Sequence, residues 1–275
     1  MQFGMGKLTS ALFTSLVLTV GATNVQAVTI IDTEFVSNGS NVNIEGTTVG
    51  ITTNLPGGNW LVGGGFTWAN PRVPATWMGE DFKNSINMAD QQTAVALSLG
   101  SAGAYVKPTQ FSVSAELAMI ENRNHLIGLG FWSPMVPRYA PTSTAGFTGL
   151  MLNEQNDTLQ VYANGVATGA AVSTGTDASE STPALNVFYS LSYDVDTTTG
   201  SISNVKFAGN SVVGLSTTAF TDAATQFVGA LSAADSRAFM KNLAVESIES
   251  AAVPEPASIG LAGAMLGGLL LRRKR

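Results

Sequence analysis

Flat aromatic side chains are the residues of this sequence best suited to contact with a ligand. Sugar rings stack on the faces of Trp and Tyr, while sugar hydroxyls bond to Asn, Asp and Gln. The aromatic residues in or beside predicted loops and strand ends are Trp60, Trp68, Trp77, Trp132 and Tyr139. A proline-broken loop holds Trp68, Arg72 and Trp77, and can hardly bury all three. We therefore take Trp68, Arg72, Trp77 and Trp132 as candidate glycan-binding residues, with packing in the core as the alternative.

Paired carboxylates that could act as acid and nucleophile are not evident. A retaining glycosidase needs two carboxyl groups about 5 Å apart. Glu80 and Asp81 are adjacent and would point to opposite faces of a strand. Glu116 and Glu121 have a predicted turn between them. These acidic residues are interpreted as a solvated face or as turns.

Histidine and cysteine chemistry is equally restricted. His125 is the single histidine, at the tip of a predicted hairpin, so a Ser-His-Asp triad or a histidine-metal cluster could form only around it. The chain has no cysteine, which excludes disulfides and thiolate metal sites. We predict that the protein is not an enzyme, with no catalytic residue and no metal site.

Calcium is the one ion that the sequence leaves open. Asp194, Asp196 and Thr198 offer oxygen ligands at two-residue spacing. A calcium loop of the EF-hand type needs glycine at its sixth place, where this sequence has Thr199 and then Gly200. A β-turn explains the same residues, so no cofactor is predicted and calcium stays the alternative.

The C-terminal 23 residues, Val253 to Arg275, form a separate unit. Its uncharged run, Ala257 to Leu271, has 15 residues, which as a helix span about 22 Å, short of a hydrocarbon core of about 30 Å. A basic cluster follows and would stay on the cytoplasmic side of a membrane. It consists of Arg272, Arg273, Lys274 and Arg275.

A Pro-Glu-Pro motif precedes the apolar run. Pro254 and Pro256 cannot continue a helix upstream, which presents Glu255 just outside the membrane. The three-part pattern resembles the PEP-CTERM sorting signal, also called the ice-binding protein C-terminal domain, of exported proteins in Gram-negative bacteria that make exopolysaccharide. The resemblance implies that a membrane-embedded exosortase recognises Pro254, Glu255 and Pro256 and cleaves nearby. An ordinary membrane anchor is the alternative.

The N-terminus carries a second targeting signal. Lys7 supplies a positive charge, Leu8 to Val20 an apolar stretch of 13 residues, and Val25-Gln26-Ala27 a small-residue cleavage site. These are the three parts of a secretory signal peptide, and 13 apolar residues are too few for a membrane span. We predict cleavage by signal peptidase between Ala27 and Val28.

The segment between the signal peptide and the C-terminal sorting signal is acidic. From Val28 to Ala252 it has 225 residues, with eight Lys and Arg against 18 Asp and Glu, a net charge of −10. Nucleic acid is therefore excluded as a partner, because phosphate binding needs a basic face.

The positions of these candidate residues depend on strands. The segment is rich in Thr, Ser, Val, Gly and Asn, and Phe111 to Met119 alternates apolar and polar residues with period two. We expect Leu126 to Trp132 to be the hairpin partner of that strand, and Ser216 to Ala230 to be a short helix. About a dozen short strands at 8 to 15 residue spacing predict an all-β, two-sheet antiparallel sandwich.

The order of these strands resembles the concanavalin A-like jelly roll of legume-lectin and laminin-G type domains, with another sandwich such as the immunoglobulin type as the alternative. We predict a signal peptide at 1–27, a β-sandwich domain at 28–250, and a sorting signal with a single short transmembrane helix at 251–275.

Three functions follow from this organisation. The first is a non-enzymatic surface or exopolysaccharide-matrix protein that is anchored transiently in the inner membrane and then released to the cell surface or matrix. The second is a glycan-binding, lectin-like module with extracellular polysaccharide as its partner. A glycoside hydrolase ranks last, because paired carboxylates and a histidine cluster are missing.

Overall fold

The structure, a computed structural model, describes residues 27–36, 42–64, 72–73, 82, 84–88, 93–119, 126–133, 144–176, 187–233 and 238–248. These residues form seventeen β-strands and one short 3-10 helix, Glu154–Asn156. No helix among them is long and apolar enough to cross a membrane.

Ten of these strands form the first sheet. Its main path runs in the order β15 (Asn210–Ser211), β14 (Ser201–Phe207), β13 (Tyr189–Asp196), β8 (Gln110–Met119), β17 (Ala238–Ser247), β6 (Ile86–Asn87), β5 (Arg72–Val73) and β2 (Val42–Asn43). Off this path, β1 (Thr29–Thr33) pairs with β17 and with β3 (Ile51–Asn54).

Seven strands form the second sheet. Their order is β12 (Val166–Ser173), β11 (Thr158–Ala163), β10 (Phe147–Asn153), β9 (Leu126–Trp132), β16 (Phe227–Ala233), β7 (Thr93–Ser98) and β4 (Leu61–Gly64). Neighbours in this sheet pair antiparallel, as in the first sheet.

The main hydrophobic core lies between the two sheets. Phe131 of β9 packs edge to face on Tyr193 of β13, with ring centroids 6.4 Å apart. The buried Tyr193 hydroxyl donates a hydrogen bond of 2.9 Å to the carbonyl of Leu129, in the opposite sheet. Side chains of both sheets belong to one buried apolar cluster. The predicted fold class, an all-β sandwich of two antiparallel sheets, is confirmed.

The other face of the seven-stranded sheet is also apolar. Gly130 lies opposite both Gly149 and Gly229 in the registers of β10 and β16. A Cβ at Gly130 would come within 2.6 Å of the Gly149 Cα and 2.8 Å of the Phe147 ring, so this row of glycines lets Phe147 lie close against the backbone. The buried members of this second cluster are Ala94, Ala96, Trp132, Phe147, Met151, Leu231 and Ala233.

Two predictions about local structure are wrong. Leu126 to Trp132 is a strand, but β9 pairs with β10 and β16 and not with β8, so β8 and β9 belong to different sheets. Ser216 to Ala230 is not a helix, because turns occupy its first part and β16 begins at Phe227. Since β16 is buried on both faces, it lacks the alternation that identifies a half-buried strand.

Candidate functional site

The structure changes the interpretation of the aromatic candidates. Trp132 is fully buried, with its ring centroid 5.2 Å from that of Phe147, so its ring faces cannot stack on a sugar and this prediction is wrong. Trp68 and Trp77 lie outside the described residues, and so does the side chain of Arg72, whose backbone belongs to β5. Trp60 is a core residue whose indole N–H donates to the Val49 carbonyl.

The other sequence candidates are placed only in part. Glu80, Asp81, Glu121 and His125 lie outside the described residues, as do the sorting motif, the basic cluster and the signal peptide up to Gln26. Within the described ranges, no three His, Cys, Asp or Glu side chains are grouped as a metal site. Cleavage between Ala27 and Val28 stays a prediction.

The calcium candidates Asp194, Asp196 and Thr198 lie at the end of β13 and in the β13–β14 turn. Asp196 Oδ1 accepts hydrogen bonds from the amides of Thr198, at 2.8 Å, and Thr199, at 3.2 Å. The bond from the Thr199 amide, with smaller contributions from Thr198 and Gln110, lowers the pKa of Asp196. This carboxylate therefore closes the β13–β14 turn, as the β-turn interpretation predicts.

A second arrangement appears on the outer face of the ten-stranded sheet. Two neighbouring strands carry the same outward pattern, Ser-Val-Ser-Ala-Glu at 112–116 in β8 and Ser-Leu-Ser-Tyr-Asp at 190–194 in β13. The intervening apolar residues are buried in the core. In the antiparallel register Ser114 lies opposite Ser192, Glu116 opposite Ser190, and Ser112 opposite Asp194. We call this outward surface of β8 and β13, together with Asn204 of β14 and Lys241 and Asn242 of β17, the serine face.

A β-bulge places an amide on the serine face beside Glu116. The β17–β8 register shifts between Lys241 and Ala244, so Asn242 and Leu243 together face one residue of β8. Asn242 has a φ of 53°, a left-handed conformation that Asn tolerates better than most residues. Its side-chain amide donates a 2.7 Å hydrogen bond to Glu116 Oε1, while Leu243 points into the core.

A matching β-bulge places an amide beside Asp194. The β13–β14 register shifts between Ser192 and Asp194, so Asn204 and Val205 face one residue of β13. Asn204 has a φ of 51°, and its amide donates a 2.5 Å hydrogen bond to Asp194 Oδ2. Val205 points into the core, as Leu243 does in the first bulge.

The two amide–carboxylate pairs are related by a local two-fold axis through the Ser114–Ser192 pair. The axis exchanges β8 with β13 and β17 with β14, so that 241–244 (Lys-Asn-Leu-Ala) corresponds to 203–206 (Ser-Asn-Val-Lys). Asp194 and Glu116 are offset by four residues along neighbouring strands, which places their Cα atoms about 14 Å apart.

The pairs differ in charge. Lys241 Nζ lies 3.2 Å from Glu116 Oε2 and 4.2 Å from the centroid of the Phe188 ring, so it neutralises this carboxylate. Among the described residues, Asp194 has no ion-pair partner and accepts one hydrogen bond, from the neutral Asn204. The serine face therefore has one compensated and one uncompensated carboxylate.

The arrangement favours binding over hydrolysis. The two carboxylates are held by separate Asn residues on strands whose acidic residues have Cα atoms about 14 Å apart. The two carboxyl groups of a glycosidase instead converge on one bond, about 5–9.5 Å apart. The carboxylates are already oriented by amides, and the hydroxyls of Ser112, Ser114, Ser190 and Ser192 have no partner within the part of the chain that the structure describes. Such a surface can exchange hydrogen bonds with a polyhydroxylated ligand.

Sequence reasoning assigned these acidic residues to a solvated face or a turn. The signal that pointed further was the repeated Ser-x-Ser-x-acid pattern together with the two Asn residues that each precede a buried Leu or Val. The bulges that bring each Asn to its carboxylate depend on strand register, which the pattern alone does not specify.

Comparisons with known proteins give distant likenesses. No family model and no curated protein sequence matches the chain. The carbohydrate recognition domain of Emp47p is 12% identical, with a TM-score of 0.45 over 77% of this chain and 96% of that domain. Lectin I from Ulex europaeus, in complex with the methyl glycoside of α-L-fucose, is 9% identical, with a TM-score of 0.47 over 80% of this chain and 98% of the lectin.

A Trypanosoma rangeli sialidase is 15% identical over 81% of this chain and 31% of the sialidase, with a TM-score of 0.45. Likenesses this distant carry no argument about the fold, the ligand or the activity of this chain.

Proposed function

We propose that the chain is an exported carbohydrate-binding protein that binds polysaccharide through the serine face. The observation that supports this most is the pair of bulges that hold Asn242 on Glu116 and Asn204 on Asp194. Each Asn keeps its amide oxygen and a second N–H for a ligand, since no other contact of these side chains is present among the described residues.

The available groups match the chemistry of a sugar. A sugar hydroxyl both donates and accepts, and the serine face alternates carboxylate oxygens, amides and serine hydroxyls over two adjacent strands. Carboxylate acceptors make charge-assisted hydrogen bonds, which are about twice as strong as neutral ones. These features support recognition of hydroxyl groups rather than of an apolar ligand.

The charge of the protein favours a neutral glycan. The segment from Val28 to Ala252 carries a net charge of −10, so an anionic polysaccharide would be repelled.

Export and sorting are further parts of the proposal and rest on the sequence patterns alone. We infer that signal peptidase cleaves after Ala27 and that an exosortase recognises Pro254, Glu255 and Pro256, releasing the protein from the inner membrane to the surface or matrix. Replacing Glu255 by Ala changes neither the apolar run nor the basic cluster. In a host with the sorting enzyme, E255A should therefore accumulate in the membrane fraction while the wild type is released, and an identical distribution would identify a simple anchor.

The binding test uses the full-length protein and variants that preserve the bulges. Glycine readily adopts positive φ, so N204G/N242G removes both amides without straining the backbone. Asn164, with a φ of 48° in the β11–β12 turn, supplies the matched control N164G. Pull-down and titration calorimetry with neutral and acidic polysaccharides should show binding by the wild type and N164G, and loss in the double variant.

The remaining outcomes separate the alternatives. Loss of binding in W68A and W77A with full binding in N204G/N242G would place the site in the aromatic loop and refute the serine face. An absence of binding to every polysaccharide would favour a structural role in the matrix.

A further inference from the structure

We infer that the two amide–carboxylate pairs are symmetry-related half-sites that bind one linear polysaccharide chain together, at internal units of the chain. This inference rests on the proposed function and specifies its ligand as a polymer whose hydroxyl groups recur along its length. The feature that carries it is the local two-fold symmetry of the serine face.

The symmetry extends beyond the two carboxylates. Each half-site combines a Ser-x-Ser-x-acid strand with a bulged partner strand, and in each bulge a left-handed Asn precedes a buried aliphatic residue. The φ angles of Asn204 and Asn242, 51° and 53°, agree closely. Two bulges with matching register each present one Asn amide beside one carboxylate, although Lys241 adds a cation to the Glu116 pair. A ligand that satisfies both pairs must therefore offer hydroxyl groups twice along its length.

The surface between the half-sites favours one continuous ligand. Ser114 and Ser192 face each other at the axis, and their hydroxyls have no partner among the described residues. A chain that spans the separation of about 14 Å passes over these hydroxyls. Two separate short ligands would leave them uncovered, which argues for a single polymer.

The axis also determines what part of the polymer is recognised. A polysaccharide has a direction, and a two-fold axis in the site reverses it, so the chain can bind in either orientation. Chain ends are unique groups and cannot satisfy both half-sites, whereas ring hydroxyls recur along the chain. Recognition of internal units follows from this.

Linking two weak sites through one ligand raises the affinity without any new contact. A fragment long enough to reach both half-sites should bind on the order of 10²-fold more tightly than a fragment that reaches one. The number of fragments bound per protein should change with fragment length, from two short fragments to one long fragment.

The test compares size-graded fragments of one bound neutral polysaccharide by titration calorimetry, with full-length wild type, N204G, N242G and N164G. We expect a step in affinity at a threshold length for the wild type and N164G. Each of N204G and N242G should lose the step and keep the affinity of short fragments. Circular dichroism and thermal unfolding check that the variants are folded.

The outcomes separate this inference from the proposed function. Binding with an affinity independent of length, or a loss of all binding in one single variant with no effect of the other, would overturn the two-half-site inference and leave carbohydrate binding intact. Binding by N204G/N242G at wild-type affinity would overturn both, because the serine face would not be the site. A blocked reducing end should leave the affinity of long fragments unchanged, and a loss of affinity there would contradict recognition of internal units.

Discussion

Lys107 provides a direct test of how a buried charge stabilises this sandwich. Its side chain is 3% exposed, and Nζ donates to the Thr225 carbonyl at 2.9 Å, the Thr225 hydroxyl at 2.6 Å and the Asp222 carbonyl at 3.1 Å. It also lies 2.8 Å from the carboxylate of Asp222, whose side chain is 72% exposed. Burial lowers the pKa of Lys107, while the hydrogen bond and the charge of Asp222 oppose this shift.

The expected magnitude follows from these contacts. K107M keeps the apolar stem but removes the ammonium group, and hydrogen bonds to a charged donor contribute about 1.5–3 kcal/mol each. The removed group is itself costly to bury, so we expect a net loss of about 2–4 kcal/mol in the free energy of unfolding. D222N removes only a solvent-screened ion pair and should cost less than about 1 kcal/mol.

Urea unfolding of the two variants and the wild type, followed by circular dichroism, measures both effects. K107M should lower the midpoint with little change in slope, because a change confined to one turn leaves the surface exposed on unfolding nearly constant. If D222N destabilised the protein as much as K107M, the exposed ion pair would be the main interaction and the reasoning from buried carbonyls would be refuted. An unchanged midpoint in K107M would refute it as well.

Three further predictions concern the sheets and the turn. A Cβ at Gly229 would overlap the Val95 carbonyl oxygen, so G229A should lose about 3 kcal/mol by overpacking, measured as a lower urea midpoint; an unchanged midpoint would show that the two strands can separate. Y193F removes the inter-sheet hydrogen bond and should cost about 1 kcal/mol in thermal unfolding, and a gain in stability would contradict this. The hydrogen bond from the Thr199 amide is the main cause of the lowered pKa of Asp196. The charged Asp196 therefore stabilises the fold above its unfolded-state pKa, and this stabilisation is lost as the pH falls through the folded-state pKa. The melting temperature of the wild type should therefore exceed that of D196A at pH 7, with the difference vanishing in acid; a difference that persisted in strong acid would rule out the carboxylate charge as its source.

Several elements could be predicted from the sequence because their signals are local. Phe111 to Met119 alternates with period two and is strand β8, with its apolar residues inside. The polar residues at 154–157 and the Asn164-Gly165 pair, both local turn signals, close the β10–β11 and β11–β12 hairpins. In each case neighbouring residues decide both the strand and its turn.

Other elements could not be predicted because they depend on distant partners. β9 looked like the hairpin partner of β8, but its glycines and its apolar residues on both faces fit the seven-stranded sheet, where Gly130 meets Gly149 and Gly229. Trp132 is likewise buried by contacts with Phe147 that lie across a strand pair. The serine face was visible only as two separate polar patterns, since β8 and β13 lie side by side only in the folded sheet.

The position of β17 has a consequence for the order of folding. This strand lies inside the ten-stranded sheet, between β8 on one side and β1 and β6 on the other, and Thr29 is paired with Glu246. Contacts between such distant parts of a chain form slowly, because a long loop must close first. The sheet cannot be completed until β17 has been synthesised, which suits the proposed export, because a chain that is not yet fully paired can thread through a secretion channel. Once β17 is in place, the amide of Ser247 bonds to the carbonyl of Val28, so the first and last parts of the sandwich are held at one point.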